Sequence, residues 1–180
     1  MCTARTAETL VIEGAGNDHD VAGASGLYGD LLTYESASQP LTMHLATNSA
    51  LVGDDHDTVV GFDTYYGTDD NDLFTGTDEG DRFLGGGGND DISGYGGDDY
   101  FVGNIGNDTI FGGAGDDNLQ GWKGFDHLTR HVRNNNVSDY ALTGVSGAVI
   151  TTGPGNDVVA TEATTLRRIT PSPPVTVLTR

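Results

Sequence analysis

Residues 67–129 read GTDDNDLFT, GTDEGDRFL, GGGGNDDIS, GYGGDDYFV, GNIGNDTIF, GGAGDDNLQ and GWKGFDHLT, seven nonapeptides without a gap or insertion. Position 1 is always glycine: Gly67, Gly76, Gly85, Gly94, Gly103, Gly112 and Gly121. Position 6 is always aspartate: Asp72, Asp81, Asp90, Asp99, Asp108, Asp117 and Asp126. Position 8 is always apolar: Phe74, Phe83, Ile92, Phe101, Ile110, Leu119 and Leu128. One fixed apolar residue in nine is too sparse for an amphipathic helix, which needs three or four per two turns. A six-residue turn followed by a three-residue strand fits the period. Two repeats then make a coil of eighteen residues with strands on opposite faces, and the position 8 side chains stack inward as a ladder. The expected fold is all-β, a parallel β-roll (a β-helix, or solenoid) of nonapeptide repeats with irregular β caps at both ends.

A nonapeptide of this composition is a known signature of calcium-binding β-helices, and the residues themselves argue for the same ion. Calcium takes six to eight oxygens from carboxylates and carbonyls. One glycine-rich turn offers a single fixed carboxylate and several backbone carbonyls, which cannot complete that shell. The turn eighteen residues later lies on the same edge, one coil further on, and supplies the rest. The spacing therefore pairs Asp72 with Asp90, Asp90 with Asp108 and Asp108 with Asp126 on one edge. It pairs Asp81 with Asp99 and Asp99 with Asp117 on the other. The carbonyl donors expected beside them come from Gly85, Gly86, Gly88, Gly94, Gly97, Gly103, Gly106, Gly112 and Gly115, and about five sandwiched Ca²⁺ ions follow from the oxygen count. The first two repeats differ, with Thr68 and Thr77 at position 2 and Asp70 and Glu79 at position 4. Their Asp69 and Asp78 add possible ligands, and a less regular first coil suits a capping unit.

These residues resemble the RTX repeats, the calcium-binding repeats of secreted bacterial toxins, proteases and related proteins. The resemblance covers 67–129. It implies a bacterial, extracellular protein that leaves the cell by a type I secretion apparatus without an N-terminal signal peptide. A Gly- and Asp-rich segment without register is ordinarily disordered. Seven repeats in one phase point the other way.

The flanks divide the chain further. Residues 1–66 read as an N-terminal β cap with degenerate repeats. Asp18 sits in an imperfect copy at Gly14–Val21, and Asp20 stands where its apolar residue belongs. Asp30–Leu32, Asp57–Val59 and Asp63–Tyr65 each place an apolar residue two after an aspartate, and Leu41–Leu45 alternates as a half-buried strand does. Turn aspartates are common without any ligand, so a metal role for Asp18, Asp30, Asp57, Asp63 or Asp157 is left open. Residues 130–169 resemble the β segment that follows RTX arrays in serralysin-type proteases, with strands expected at Tyr140–Leu142 and Ala148–Thr151 and a returning repeat at Gly153–Ala160. Residues 170–180 hold three of the five prolines and read as a flexible tail, since proline cannot join a sheet interior. The tail departs from the acidic and apolar ending usual for type I substrates.

Composition narrows the partners. The net charge is −19, from 27 acidic against 8 basic residues, so neither nucleic acid nor an anionic membrane is an expected partner. Cys2 is the single cysteine and can form no intramolecular disulfide. No segment has the length of a membrane span, and a monomer is expected. Catalysis is not expected from this chain. There is no HExxH zinc motif, and no phosphate loop, because no helix follows the glycine run at Gly85–Gly88. His127 and His131 are four apart, but His127 occupies an outward position 7 and reads as a surface residue. Tyr95, Tyr100 and Trp122 are likewise expected to project outward.

Three functions compete. The leading one is calcium binding by a calcium-triggered folding module of a secreted RTX protein. Alternatively, the chain is the non-catalytic part of a secreted enzyme (a protease, lipase or alginate epimerase). Or it is an adhesive, structural or ice-binding segment, which needs an ordered outward ladder. Positions 5 and 7, read along the seven repeats, are mixed and give no such ladder.

Overall fold

The computed structural model describes residues 10–12, 16–22 and 29–129, and beyond them the strands within 136–179. Among the described residues every regular element but one is a strand. The first seven are β1 (Leu10–Ile12), β2 (His19–Val21), β3 (Leu31–Thr33), β4 (Leu41–His44), β5 (Ser49–Val52), β6 (Asp55–Val60) and β7 (Thr64–Tyr66). The repeats supply β8 (Leu73–Thr75), β9 (Arg82–Gly87), β10 (Asp91–Ser93), β11 (Tyr100–Ile105), β12 (Thr109–Phe111), β13 (Asn118–Lys123) and β14 (His127–Thr129). After them come β15 (Asn136–Asp139), β16 (Val149–Thr151), β17 (Asp157–Thr161), β18 (Arg168–Thr170) and β19 (Val175–Thr179). Among the described residues, no helix is long and apolar enough to cross a membrane.

The strands alternate between two sheets, one ordered β1-β3-β7-β9-β11-β13-β15-β17-β19 and the other β18-β16-β14-β12-β10-β8-β4-β5-β6-β2. This is a parallel solenoid of about six turns. Its period is the one the sequence dictates, since Phe83 pairs with Phe101 and Phe101 with Leu119 in one sheet. In the other, Phe74 pairs with Ile92, Ile92 with Ile110 and Ile110 with Leu128. All seven position 8 side chains are fully buried. Phe83 is stacked between Phe74 and Phe101, with ring centroids 4.7 and 5.4 Å away. Such offset pairs add to the area they bury.

The roll is less symmetric than a six-residue turn plus a three-residue strand. The strands β9, β11 and β13 run on for six residues, so positions 2 and 3 of the next repeat pair as well. On the opposite edge the only counterpart among the described residues is an isolated bridge between Gly96 and Ala114. The two edges therefore differ in backbone, not only in sequence.

At the N-terminal end the ladder continues through Tyr65, Leu32 and Met43, which pair in register with Phe83, Tyr65 and Phe74. A hairpin interrupts the parallel order there, because β5 is antiparallel to both β4 and β6. Its two-residue turn places Gly53 first, with φ of 61°, as a type II′ turn requires. Beyond Thr129 the strands extend both sheets in parallel, with Val137 opposite Leu119 and Ile150 opposite Leu128. The strand expected at Tyr140–Leu142, together with Cys2 and His131, falls outside the described residues. The expected flexible tail is corrected in part, because Val175–Thr179 forms a strand paired with β17. It lies at the end of its sheet.

Candidate metal centre

The position 6 aspartates are built into the coil by two contacts each. The first is with the glycine that opens the same repeat. A Cβ added to Gly67, Gly76, Gly85, Gly94, Gly103, Gly112 or Gly121 would overlap Oδ2 of Asp72, Asp81, Asp90, Asp99, Asp108, Asp117 or Asp126 respectively. The carboxylate occupies the space a side chain would need, so the two constant positions of the repeat explain each other.

The second contact runs along the edge. The N–H of Asp72 donates to Oδ1 of Asp90 at 2.9 Å, Asp90 to Asp108 at 3.0 Å and Asp108 to Asp126 at 3.0 Å. On the other edge Asp81 donates to Asp99 at 2.8 Å and Asp99 to Asp117 at 3.2 Å. These five pairs are the ones expected from the eighteen-residue spacing. Six of the seven aspartates are buried, and only Asp81 is partly exposed.

This arrangement leaves negative charge in excess. Oδ2 of Asp90, Asp99 and Asp108 is buried and has no hydrogen-bond partner. Burial first, and the neighbouring aspartates after it, push the Asp90 carboxyl up to about 8 and those of Asp99 and Asp108 to about 7. A buried carboxylate without full compensation takes up a proton or a cation. Among the described residues, no three acidic, His or Cys side chains converge on one point. A cation here must therefore draw most of its oxygens from backbone carbonyls. That donor set suits calcium, a hard ion with a large shell, and does not suit a thiolate- or imidazole-loving metal.

The first two repeats close differently. Thr68 donates its N–H to Oδ2 of Asp72 at 2.7 Å and its hydroxyl to Oδ1 at 2.8 Å. Thr77 donates both groups to Oδ2 of Asp81, at 2.7 and 3.2 Å. Leu41 N–H adds a further bond to Oδ1 of Asp72 at 2.7 Å. Thr68 and Thr77 thus supply by hydrogen bonding what the later turns lack. Asp72 and Asp81 are still raised, by burial above all.

Position 4 explains the other departure. A Cβ on Gly106, Gly115 or Gly124 would run into the position 4 carbonyl of the coil before, that of Gly88, Gly97 or Gly106. Gly88 and Gly97 pack in the same way against the backbone at Asp70 and Glu79. Asp70 and Glu79 themselves stand at position 4 of the first two repeats. Asp69 and Asp78 are exposed and stand outside the ladder.

Position 5 is ordered once the edges are separated, which corrects the reading of it as mixed. Asn71 accepts from Asn89 N–H at 2.6 Å, Asn89 from Asn107 at 2.7 Å and Asn107 from Phe125 at 2.8 Å. On the other edge Asp98 accepts from Asp116 N–H at 2.8 Å. Consecutive repeats face opposite edges, so alternate residues must be compared.

The N-terminal aspartates have structural partners. Asp57 accepts from Asp18 N–H at 2.9 Å and from the Tyr34 hydroxyl at 3.0 Å, and Asp63 accepts from Asp30 N–H at 2.8 Å. They repeat the ladder's geometry without the glycine that stands five residues before each aspartate of the array. The Tyr34–Asp57 bond carries no sequence signal, because 23 residues separate the pair. His127 is exposed, as are Tyr95 and part of Trp122.

The chain matches a family model, the RTX calcium-binding nonapeptide repeat, over residues 57–92, 66–101 and 93–128. That match starts ten residues before Gly67 and takes in Asp63 and Tyr65, which the strand register also places in phase with Asp81 and Phe83. No curated protein matches the chain. By sequence and by register alike, residues 57–128 match the RTX calcium-binding nonapeptide repeat.

Proposed function

We propose that this chain is a calcium-triggered folding module of a secreted bacterial protein. The observation that carries the reading is the row of buried carboxylate oxygens at Asp90, Asp99 and Asp108 that the fold leaves without a hydrogen-bond partner. Calcium held between stacked turns would engage the aspartates of the pairs Asp90/Asp108, Asp108/Asp126 and Asp99/Asp117, with carbonyls of the glycine-rich turns. The Asp72/Asp90 and Asp81/Asp99 pairs are weaker sites, because Thr68 and Thr77 already occupy one carboxylate of each. Five ions would bring the charge from −19 to about −9 and relieve self-repulsion.

Without metal, the array carries a heavy burden. It contains 17 glycines, each losing about 0.5–1 kcal/mol more chain entropy than alanine on ordering. Where free calcium is scarce the array stays unfolded and fit for export, through a type I apparatus on this reading. At about millimolar calcium outside the cell, sites of roughly 0.1–1 mM affinity fill. Because each ion binds only the folded form, the sites reinforce one another. The array itself is proposed as non-catalytic. Native mass spectrometry in calcium tests the reading: three to five bound ions are expected, and a chain that carries none overturns it.

A further inference from the structure

Two turns of the N-terminal cap, one at residues 16–18 and one at 53–57, stack on each other although their paired positions lie 39 residues apart. Asp18 N–H donates to Oδ1 of Asp57 at 2.9 Å, as Asp72 N–H does to Asp90 in the array. His56 N–H donates to Oδ1 of Asn17 at 2.8 Å, as Asn89 N–H does to Asn71. Gly16 N–H adds a bond to Oδ2 of Asp55 at 3.0 Å. The pair therefore repeats both inter-coil bonds of the array turns, across the hairpin that interrupts the roll.

One side chain sets this place apart. Strand β2 pairs in parallel with β6, with Asp20 opposite Val59. Side chains alternate along a strand, and in β2 His19 and Val21 face outward while Asp20 is buried. Asp20 thus stands where the ladder elsewhere carries an apolar residue. It is 9 % exposed, and its Oδ2 is buried without a hydrogen-bond partner. Asp57 lies two residues before Val59, so it shares that inner face and is buried as well. Burial first, and then the charges of Asp18 and Asp20, push the Asp57 carboxyl up against its two hydrogen bonds. The Asp20 charge thus bears on the Asp57 carboxylate.

A buried carboxylate oxygen without compensation takes up a proton or a cation. The cap holds no cationic side chain of its own, because the chain has neither lysine nor arginine between Arg5 and Arg82. Arg82 itself lies over the Tyr100 ring, and His19 and His56 are exposed. Among the described residues no three acidic, His or Cys side chains converge on one point. Backbone carbonyls of the two turns must therefore complete any shell, and a donor set made only of oxygen suits calcium. We propose that Asp20 and Asp57, with carbonyls of these two turns, hold one further calcium ion that fastens β2 to β6 at the N-terminal end of the roll. This ligand set has no counterpart in the repeats, whose position 8 is always apolar. The site rests on the calcium reading of the array only for the identity of the ion.

Equilibrium dialysis of the full chain against radioactive calcium at saturation counts the ions. Asp20→Leu restores the ladder's apolar residue. Asp20→Asn keeps the volume while removing the charge, and decides the matter should leucine disturb the packing. Each variant should bind one ion fewer than the parent, with circular dichroism in calcium unchanged. Hydrogen exchange in calcium should quicken across Asp55–Val60 and stay as it is across Asp91–Ser93. A parent that fills its array beside a variant that binds as many ions overturns this site alone. A carboxyl that merely carries a proton gives that result, because neither substitution then removes a ligand. A parent that binds no calcium at all overturns the reading of the array together with this one.

Discussion

The N–H of Asp90 donates to Oδ1 of Asp108 across one coil at 3.0 Å, while Oδ2 of Asp108 lies buried beside Gly103 without a hydrogen-bond partner. One oxygen of the carboxylate joins successive coils and the other is left to a cation. Asp108→Asn separates these roles, since an amide oxygen still accepts from Asp90 while the charge is gone. Calcium titration of this variant should show fewer ions bound and a calcium midpoint at least about tenfold higher, or about 1.4 kcal/mol. In chelator the variant should be no less ordered than the parent. An unchanged midpoint would remove Asp108 from the metal site.

Acidity should act in opposite directions on the two states. The carboxyls of Asp90, Asp99 and Asp108 stand at about 8, 7 and 7 in the metal-free fold, against about 3.9 for an unfolded aspartate. The folded form binds more protons across that window. Metal-free stability is therefore greatest at acid pH and is lost as pH rises from about 4 towards 8. Calcium must displace those protons, so its apparent affinity should weaken as pH falls below about 7. Circular dichroism against pH in chelator, and calcium titrations at pH 6 and pH 8, check both halves. Tighter calcium binding at pH 6 would contradict the assignment.

Glycines of the array should differ in their tolerance of a methyl group. Gly103→Ala drives a Cβ into Asp108, whereas a Cβ on Gly96 meets nothing nearer than 3.6 Å. Gly96→Ala should change stability by no more than about 0.5 kcal/mol. Gly103→Ala should cost several times more, by overpacking and by displacing the carboxylate. Thermal midpoints in saturating calcium compare them, and equal losses would refute the carboxylate-under-glycine geometry.

Thr68 replaces part of a metal's role at Asp72, so its removal should be felt even in saturating calcium. Thr68→Val leaves the 2.7 Å backbone bond and deletes the 2.8 Å hydroxyl bond to a buried carboxylate. A loss of about 1.5–3 kcal/mol is expected. Excess calcium should rescue little of it, and full rescue would show that Asp72 is a metal site like the others.

Most of the fold was legible because its period is exact. Gly103, Asp108 and Ile110 recur at fixed offsets, and an eighteen-residue coil follows from turn chemistry and strand alternation. The hairpin at Gly53 escaped because it lies in the irregular flank, although Val52-Gly53-Asp54-Asp55 carries a hairpin turn's residues. The order at Asn71, Asn89 and Asn107 was hidden by reading position 5 along the chain, when the solenoid compares every second repeat. Thr68 and Thr77 looked like mere departures from the glycine pattern. Their role appears only with the carboxylate they bond, since a side-chain cap at i+4 replaces a ligand that no sequence displays. The Tyr34–Asp57 bond joins elements whose approach depends on the hairpin, and no local rule reaches it.

Far-ultraviolet circular dichroism of the full chain, followed during calcium titration from excess chelator, tests the central claim most directly. The account predicts little ordered β-structure in chelator and a steep, cooperative gain of it near millimolar calcium, reversed when chelator is restored. A chain as fully β-structured in chelator as in calcium would contradict it.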